Sequence, residues 1–376
     1  RGIRAELWAD VQLEAESEAP QPLLGAFSGC GYEDPKLWQD LGGTLLLARR
    51  LESQLRMADA GGETVQGWLA HSLLPFQLLG LARHLASAPR AAVLLSLMFP
   101  PEETLGGSEG GDQAFANCRI ALAALARATD SAGHALTLAF PSRQQEQLYV
   151  PLLEATGLGS AGIHPAVVGA GCRPQPPTQG EPPLVLLHWG DLKAGKGRTQ
   201  ALQVLQTLLT QGPPETLTSW GWLFHCHSAQ ALSPTERSLL ERAETQELGL
   251  LWLRGSQSSE QMERLLARCP LALLAYDPRI YGQRSSGMLW QWAAARPALG
   301  RAAAAVGYAE GWLAREAPEL GVSWSTPSRA DGWLEALAEA ARPESGKAQV
   351  SAYGQKVLGT SFPSWCADRL KESQRP

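Results

Sequence analysis

The sequence is short of cysteine, of long apolar runs and of surplus positive charge, and each shortage excludes a class of protein. Its six cysteines lie far apart, with no C-x-x-C pair, which favours reduced thiols and a cytoplasmic location over a disulfide framework. No run approaches the roughly 18 apolar residues that a transmembrane segment needs. The formal net charge of -5, with lysines and arginines scattered singly, argues against a nucleic-acid partner.

One short segment has residues of the metal-ligating type. His225, Cys226 and His227 follow one another in WGWLFHCHS, and all three side chains are zinc ligands in other proteins. No second cluster elsewhere in the sequence completes a zinc ligand set, and a buried strand accounts for the segment more simply. We therefore expect no metal site here.

The length of the chain predicts two domains, because 376 residues are many for a single core. Five prolines in GAGCRPQPPTQGEPP mark the best linker in the sequence. We expect an N-terminal α/β domain over residues 1–170, a linker over 171–183, and a second α/β domain over 184–360. A C-terminal helix or tail would cover residues 361–376.

Short apolar runs alternate with longer helical patterns on both sides of the linker. The predicted strands are 3–8, 91–98, 135–140, 184–189, 221–225, 248–253 and 271–275, and the predicted helices are 73–86, 114–129, 144–156, 198–209, 258–268, 288–295 and 331–341. This alternation is typical of parallel sheets covered by helices. Residues 20–40 have no such pattern and predict a long loop. Since 3–8 looks like a second strand, we expect a first strand and its glycine loop to precede Arg1 in the natural protein.

The stretch LALLAYDPRIYGQRSSGMLWQWAAARPAL, residues 271–299, organises the second half. It predicts a buried strand, a polar loop and then a helix that ends before Pro297. Ser285, Ser286 and Gly287 would lie at the helix N-terminus, where the helix dipole and free N–H groups favour an anion. Arg284 adds a guanidinium suited to phosphate oxygens. The stretch is therefore either a phosphate-binding turn or simply a capped helix with a solvated arginine.

A second glycine-rich loop, GDLKAGKG, follows the strand LVLLHW. It matches the G-x-x-x-x-G-K core of a P-loop but has Gly197 where a P-loop has the Ser or Thr that holds magnesium. The pattern therefore does not predict nucleotide hydrolysis. Lys196 at a helix start remains either a phosphate-binding group or a surface lysine beside a helix cap.

Taken together, these two loops resemble the C-terminal half of GT-B glycosyltransferases. The resemblance covers residues 184–322, and the first half agrees only in its α/β pattern and length. It implies two Rossmann-like domains facing a cleft, with Lys196 and Arg284 neutralising the donor diphosphate. The implied donor-binding residues are Gly190, Lys196, Tyr281, Arg284, Ser285, Ser286, Gly287 and Gln291. Gln283 and Gln291 stand where retaining members carry two glutamates eight positions apart, and Gln291 would hydrogen-bond the ribose.

Two features of the first half are candidates for the acceptor side. His71, in WLAHSLLPFQLLG, is either a catalytic or polar contact in the cleft, as the resemblance implies, or a hydrogen-bonded histidine at a helix start. The loop LGGSEGGDQAF carries Glu109 and Asp112 between glycines. It predicts either an acceptor-side lid or a solvated connection.

The resemblance implies a metal-independent transfer of a sugar from a nucleotide-diphosphate donor to an unidentified glycan, lipid or protein acceptor. The nucleotide-sugar would be a substrate, with no cofactor. Two alternatives stay open at this level: a sugar-nucleotide epimerase on the same fold, and a non-catalytic binding or scaffold protein.

Overall fold

A computed structural model describes residues 7–10, 23–27, 40–60, 67–103, 110–167, 180–193, 195–246, 248–295, 303–342 and 349–372. Its contacts divide the chain into two compact units. Unit 1 comprises Arg1–His164 together with Pro363–Pro376, and unit 2 comprises Pro165–Phe362. Within the described residues, no helix is both long and apolar enough to cross a membrane.

The strands are parallel wherever they pair, and helices separate most of them along the chain. The strands are β1 (Leu7–Asp10), β2 (Leu23–Phe27), β3 (Gly67–His71), β4 (Ala92–Ser96), β5 (Ala135–Ala139), β6 (Leu184–His188), β7 (Gly221–Cys226), β8 (Leu250–Arg254), β9 (Leu271–Leu273), β10 (Ala303–Val306) and β11 (Val322–Ser325). The helices are α1 (Leu41–Ala60), α2 (Pro75–Leu85), α3 (Gly111–Ala132), α4 (Arg143–Thr156), α5 (Arg198–Gln211), α6 (Pro234–Thr245), α7 (Ser259–Ala267), α8 (Pro278–Tyr281), α9 (Gly287–Ala295), α10 (Trp312–Glu319), α11 (Trp333–Ala340), α12 (Ala352–Gly359) and α13 (Phe362–Glu372).

Unit 1 is built on the parallel sheet β3-β4-β5, and β1 pairs separately with β2. The central strand β4 is buried along its whole length, as expected for a parallel strand that is covered on both faces. Because the strands run the same way, His71 and Ser96 lie side by side at the carboxyl edge of this sheet.

Unit 2 is a six-stranded parallel sheet in the order β11-β10-β9-β6-β7-β8. Its core contains the fully buried Val185, Leu205, Trp222, Leu240 and Leu337, contributed by two strands and three helices. Strands β7 and β8 follow β6 on one side of the sheet. Strands β10 and β11 follow β9 on the other side. The strand order therefore reverses between β6 and β9. In open α/β sheets, ligands bind at the carboxyl ends of the strands at this reversal.

The structure confirms the predicted α/β class and the parallel sheets. The predicted loop over 20–40 was wrong in part, because β2 lies inside it; residues 28–39 are outside the described residues. Not predicted were the helices α1, α6, α10 and α12, the single turn α8, and the strands β3, β10 and β11.

The predicted domain limits compare with the structure only in part. The division between the units falls after His164, whereas most of the proline-rich segment, residues 168–179, lies outside the described residues. The predicted tail contains α13, which belongs to unit 1 although it follows unit 2 in sequence. The proline-rich linker stays a prediction.

Candidate functional site

Two loops leave the carboxyl edge of the unit 2 sheet at the point where the strand order reverses. The first follows β6 and runs to the start of α5, and the second follows β9 and runs to the start of α9. These are the two segments that the sequence analysis selected, and the pairing of β6 with β9 makes them neighbours.

The first loop turns on glycines. Positive φ angles occur at Gly190, Gly195 and Gly197, with values of 102°, 80° and 76°, a region that L-residues other than glycine rarely adopt. Gly197 immediately precedes α5, and a Cβ atom there would lie 3.0 Å from the carbonyl oxygen of Ala275. Glycine at this position therefore allows the two loops to approach each other. Lys196 lies half-buried between Gly195 and Gly197.

The second loop is fixed by an aspartate and contacts the first directly. The Asp277 carboxylate accepts from the Arg279 main-chain N–H at 2.9 Å and so caps the single helical turn α8. The Asp277 main-chain N–H donates to the Gly195 carbonyl at 2.8 Å. A Cβ on Gly195 would lie 2.8 Å from the Ile280 Cδ1 atom and 3.2 Å from the Tyr281 ring.

These contacts bring the predicted cationic and aromatic residues to one corner of the sheet edge. The Tyr281 ring lies against the backbone next to Lys196, and the Arg284 Cζ atom lies 5.6 Å from the centre of the Tyr281 ring. This cation–π contact positions the guanidinium beside the loop that carries Lys196. Lys196 and Arg284 thus lie on the two loops that meet at the ends of β6 and β9.

The Ser-Ser-Gly segment lies directly before and at the start of α9, as the sequence predicted. Ser286 is buried, and its side chain is hydrogen-bonded to Tyr276. Burial raises the pKa of Tyr276 to about 12, and the bond to Ser286 opposes that shift. The Ser286 hydroxyl therefore helps to fix the loop from inside. A Cβ on Gly287 would meet nothing within 4 Å, so there is open space beside the first residue of α9.

The electrostatics of the first loop favour an anion. Burial lowers the pKa of Lys196 from its ordinary value, and the Asp191 carboxylate partly opposes this. Asp191 is itself engaged, since its carboxylate lies 3.0 Å from the Lys193 ammonium. A half-buried ammonium that has lost part of its hydration is stabilised when a negative group binds beside it.

The two glutamine positions differ in their surroundings. Gln283 is exposed in the second loop, and Gln291 is half-buried on α9. Neither position supplies a carboxylate, so the negative charge that a ribose-binding glutamate would bring is absent from these two positions.

Two histidines at this sheet edge were missed as site residues. His225, at the end of β7, accepts from the Gly190 main-chain N–H at 3.1 Å through Nδ1 and contacts the Gly255 carbonyl at 2.8 Å through Nε2. The His188 Nδ1 lies 2.9 Å from the His225 carbonyl. Both ring nitrogens of His225 are used by the backbone. Among the described residues, no group of three or more His, Cys, Asp or Glu could hold a metal ion.

In unit 1, His71 is the last residue of β3 and is exposed. Its Nδ1 lies 2.6 Å from the Ser72 hydroxyl, and Ser72 has a φ of 60°, the one positive value among the described non-glycine residues. Surrounding atoms remove part of the ring's hydration and lower the pKa of His71. His71 is hydrogen-bonded, as the structural alternative expects, but it ends a strand and does not begin a helix, since α2 begins at Pro75. The choice between a cleft residue and a structural histidine stays a prediction.

A buried polar pair lies beside His71 at the same sheet edge. The Ser72 main-chain N–H donates to the Ser96 carbonyl at 3.1 Å, and the Ser96 hydroxyl lies 2.8 Å from His164 Nε2. Ser96 and His164 are both buried. They were not predicted, because no local pattern links residues that are 68 positions apart.

The acidic loop predicted over 105–115 is shorter in the structure. Residues 104–109, and with them Glu109, lie outside the described residues. Asp112 lies in the first turn of α3, where a carboxylate stabilises the helix dipole. A structural role at the helix start therefore accounts for Asp112.

Comparison with known proteins rests on the fold, because no family model matches the chain and no curated protein matches its sequence. A trehalose-phosphate synthase (UDP-forming) from Burkholderia xenovorans in complex with glucose-6-phosphate is 13% identical, with a TM-score of 0.56 over 89% of this chain and 78% of that one. The E. coli protein bound with UDP-2-fluoro glucose is 12% identical, with a TM-score of 0.57 over 89% and 78%.

A third similar structure is the N-terminal domain of the Candida albicans trehalose-6-phosphate phosphatase, which is 11% identical, with a TM-score of 0.54 over 87% of this chain and 74% of that one. At such identities the likeness establishes architecture alone. The trehalose-phosphate synthases are GT-B proteins, and this chain has the same GT-B fold of two Rossmann-like α/β units.

Proposed function

We propose that the protein is a glycosyltransferase that uses a nucleotide-diphosphate sugar as donor. The observation that carries the proposal is the direct contact of the two loops at the strand-order reversal of unit 2, through the Asp277 to Gly195 hydrogen bond. It gathers Lys196, Tyr281 and Arg284 next to the N-terminus of α9. This is the position at which open α/β sheets bind ligands, and the local chemistry suits a diphosphate.

The same residues suggest how the donor bond would be weakened. Negative charge develops on the departing diphosphate as the glycosidic bond to the sugar breaks. Lys196 and Arg284 would stabilise that charge from two directions, and the N–H groups at the start of α9 would add hydrogen bonds. In this proposal two cationic side chains take the part that a metal ion takes in other transferases, so that the reaction is metal-independent.

Unit 1 would bind the acceptor at its own carboxyl edge, where His71 is exposed. The lowered pKa keeps His71 neutral at neutral pH, so it can accept a hydrogen bond or a proton from a hydroxyl. The positive φ of Ser72 supports a functional role for this turn, because strained backbone is retained chiefly where it positions a group.

The structural neighbours supply the first donor and acceptor to try. Their names mention UDP, UDP-2-fluoro glucose and glucose-6-phosphate. We therefore propose UDP-glucose as the first donor and a sugar phosphate as the first acceptor class, followed by glycan, lipid and protein acceptors.

The test measures binding and release separately. Thermal melts with UDP-, GDP- and ADP-sugars identify the nucleotide, because a ligand that binds only the folded state raises the melting temperature. Incubation of the stabilising donor with each acceptor class, followed by chromatography, then detects free nucleoside diphosphate and glycosylated product together.

Each outcome separates the candidate functions. Nucleotide release with product supports transfer, an altered donor without release indicates an epimerase, and donor binding without either indicates a binding protein. A chain that no nucleotide-sugar and no nucleoside diphosphate stabilises would contradict the proposal.

A further inference from the structure

His225 connects the three loops that follow β6, β7 and β8. Its Nδ1 accepts from the Gly190 N–H at 3.1 Å, and its Nε2 reaches the Gly255 carbonyl at 2.8 Å. The Trp189 ring lies against the imidazole, with ring centres 4.4 Å apart. The His227 main-chain N–H donates back to the Gly190 carbonyl at 3.3 Å. Gly190, the first residue of the glycine loop, is therefore held on both sides by β7.

These contacts fix one protonation state. Because Nδ1 accepts from a main-chain N–H, it carries no proton, and the single ring proton lies on Nε2 and is donated to Gly255. A protonated imidazole would place a second N–H against the N–H of Gly190. The side chain is fully buried and Gly190 is buried, so the Gly190 N–H has no bulk water as a replacement for this acceptor.

We propose that His225 is a positioning residue for the donor site, holding Gly190 so that the glycine loop presents Lys196 to a bound nucleoside diphosphate. The inference rests on the proposed function. Its physical basis is preorganisation: a loop already in its binding conformation does not have to be ordered when the diphosphate binds. His225 itself does not contact the ligand in this scheme.

Two conservative substitutions separate the two hydrogen bonds of His225. In His225→Asn the amide oxygen can take the place of Nδ1 and accept from Gly190, whereas in His225→Gln the longer amide reaches the place of Nε2 and leaves the Gly190 N–H without its acceptor. Isothermal titration of the full chain with UDP is the first measurement. We expect His225→Gln to bind about tenfold more weakly, the effect of one hydrogen bond, and His225→Asn to stay within about threefold of the wild type.

Hydrogen exchange of the peptide covering 184–197, without ligand, is the second measurement. We expect faster exchange in His225→Gln than in His225→Asn. Each variant is measured at the same number of degrees below its own melting temperature, so that a difference in overall stability does not enter the comparison. A structural role that merely stabilised the unit would alter the two variants alike, so equal exchange of this peptide in the two variants would overturn the inference.

The dependence on pH gives a third readout. The titratable groups around the ring are His188 on β6, Asp191 in the glycine loop, and His227 after β7. Burial lowers the pKa of His225, so its imidazole takes up a proton only below about pH 6.5. As the pH falls below that value, UDP affinity in the wild type should fall more steeply than in His225→Asn, which has no imidazole to protonate at this position. Equal slopes would contradict the inference.

The outcomes keep the two proposals distinct. If the wild type binds no nucleoside diphosphate, the proposed function fails, and this inference fails with it. If the wild type binds UDP and both variants bind it equally well, only the positioning role of His225 is overturned.

Discussion

The main-chain N–H of Asp277 donates to the carbonyl of Gly195 across 2.8 Å. This single bond joins the loop after β9 to the loop after β6, although 82 positions separate the two residues in the chain. It lies where the strand order of unit 2 reverses, and each prediction on the donor side depends on the geometry that it maintains.

Arg284 and Lys196 are the first residues to test. Arg284→Ala should remove a charge-assisted contact worth roughly 1.5–3 kcal/mol and lower the affinity for UDP about ten- to a hundredfold. Lys196→Ala should act similarly, and the double variant should lose less than the sum, because both groups would contact one diphosphate. Arg284→Lys should restore only part of the affinity, since an ammonium has no planar fork.

The measurement for these variants is isothermal titration, with Arg329→Ala as the control. Arg329 is exposed in the same unit and pairs with Asp331 and Glu335 instead of joining the two loops, so its loss should leave affinity unchanged. Unchanged affinity in both Arg284→Ala and Lys196→Ala would rule out this donor site.

The glycine before α5 should be intolerant of a side chain. Gly197 and Gly157 both adopt left-handed backbone at a helix end, with φ of 76° and 70°, so alanine at either position should cost about 1–2 kcal/mol of backbone strain. A Cβ on Gly197 would also lie 3.0 Å from the Ala275 carbonyl, whereas one on Gly157 meets nothing within 4 Å.

We therefore expect Gly197→Ala to destabilise the protein by about 1–3 kcal/mol more than Gly157→Ala, as overpacking typically does, and to weaken UDP binding. Urea denaturation of the two variants measures the difference. Equal destabilisation would show that the loops can separate without cost.

His188 should make the stability of unit 2 depend on pH. Burial is the main cause that lowers the pKa of His188 to about 4, below the ordinary value near 6.5. The unfolded chain therefore takes up the proton first as the pH falls, and the free energy of unfolding decreases between about pH 6.5 and about pH 4. The whole effect is about 3 kcal/mol, from about 1.4 kcal/mol per unit of pKa.

The comparison is His188→Asn, whose amide can still donate to the His225 carbonyl but does not titrate. Denaturant titrations at several pH values should give a flatter profile for this variant over that range. The control is His227→Asn, because His227 is exposed and directly follows β7. If the free energy of unfolding of His188→Asn depends on pH as steeply as that of the wild type, the pH dependence does not come from His188.

His71 should affect turnover more than stability. It is exposed at the end of β3, so His71→Ala should change the free energy of unfolding by less than about 0.5 kcal/mol. If it acts on the acceptor hydroxyl, turnover should fall by well over tenfold while donor affinity stays nearly unchanged. A variant that loses stability and keeps its specific activity would make His71 structural.

Cleavage in the proline-rich segment should leave two fragments that remain together. We expect limited proteolysis to cut first within 171–183, because proline-rich connections are accessible. The C-terminal fragment carries α13, which belongs to unit 1. There the Trp365 ring lies 5.8 Å from the His164 ring. The fragments should therefore co-elute in gel filtration, and the fragments of a chain that ends at residue 361 should separate more readily. If the fragments made from the full chain separate in gel filtration, the assignment of α13 to unit 1 is contradicted.

The sequence by itself determined the class of fold and the two loops of interest. Apolar runs such as residues 184–187 and 271–273 are continuous because parallel strands are buried on both faces. The glycines and the Ser-Ser-Gly segment mark turns that need special backbone or a helix start. These are local requirements, so they can be read from neighbouring residues. Strand β10 was missed because its sequence AAAV has three alanines, one β-branched residue and no aromatic residue, whereas β-branched and aromatic residues usually mark strands.

Only the tertiary structure decided which loops meet. The pairing of β6 with β9 brings Lys196 beside Tyr281 and Arg284. The partners of His225 lie 35 and 30 residues away in the chain, so its triplet indicated a metal ligand or a strand and nothing more. Contacts between distant segments depend on the strand order, which follows from packing the whole sheet and its helices, and no local pattern encodes that order.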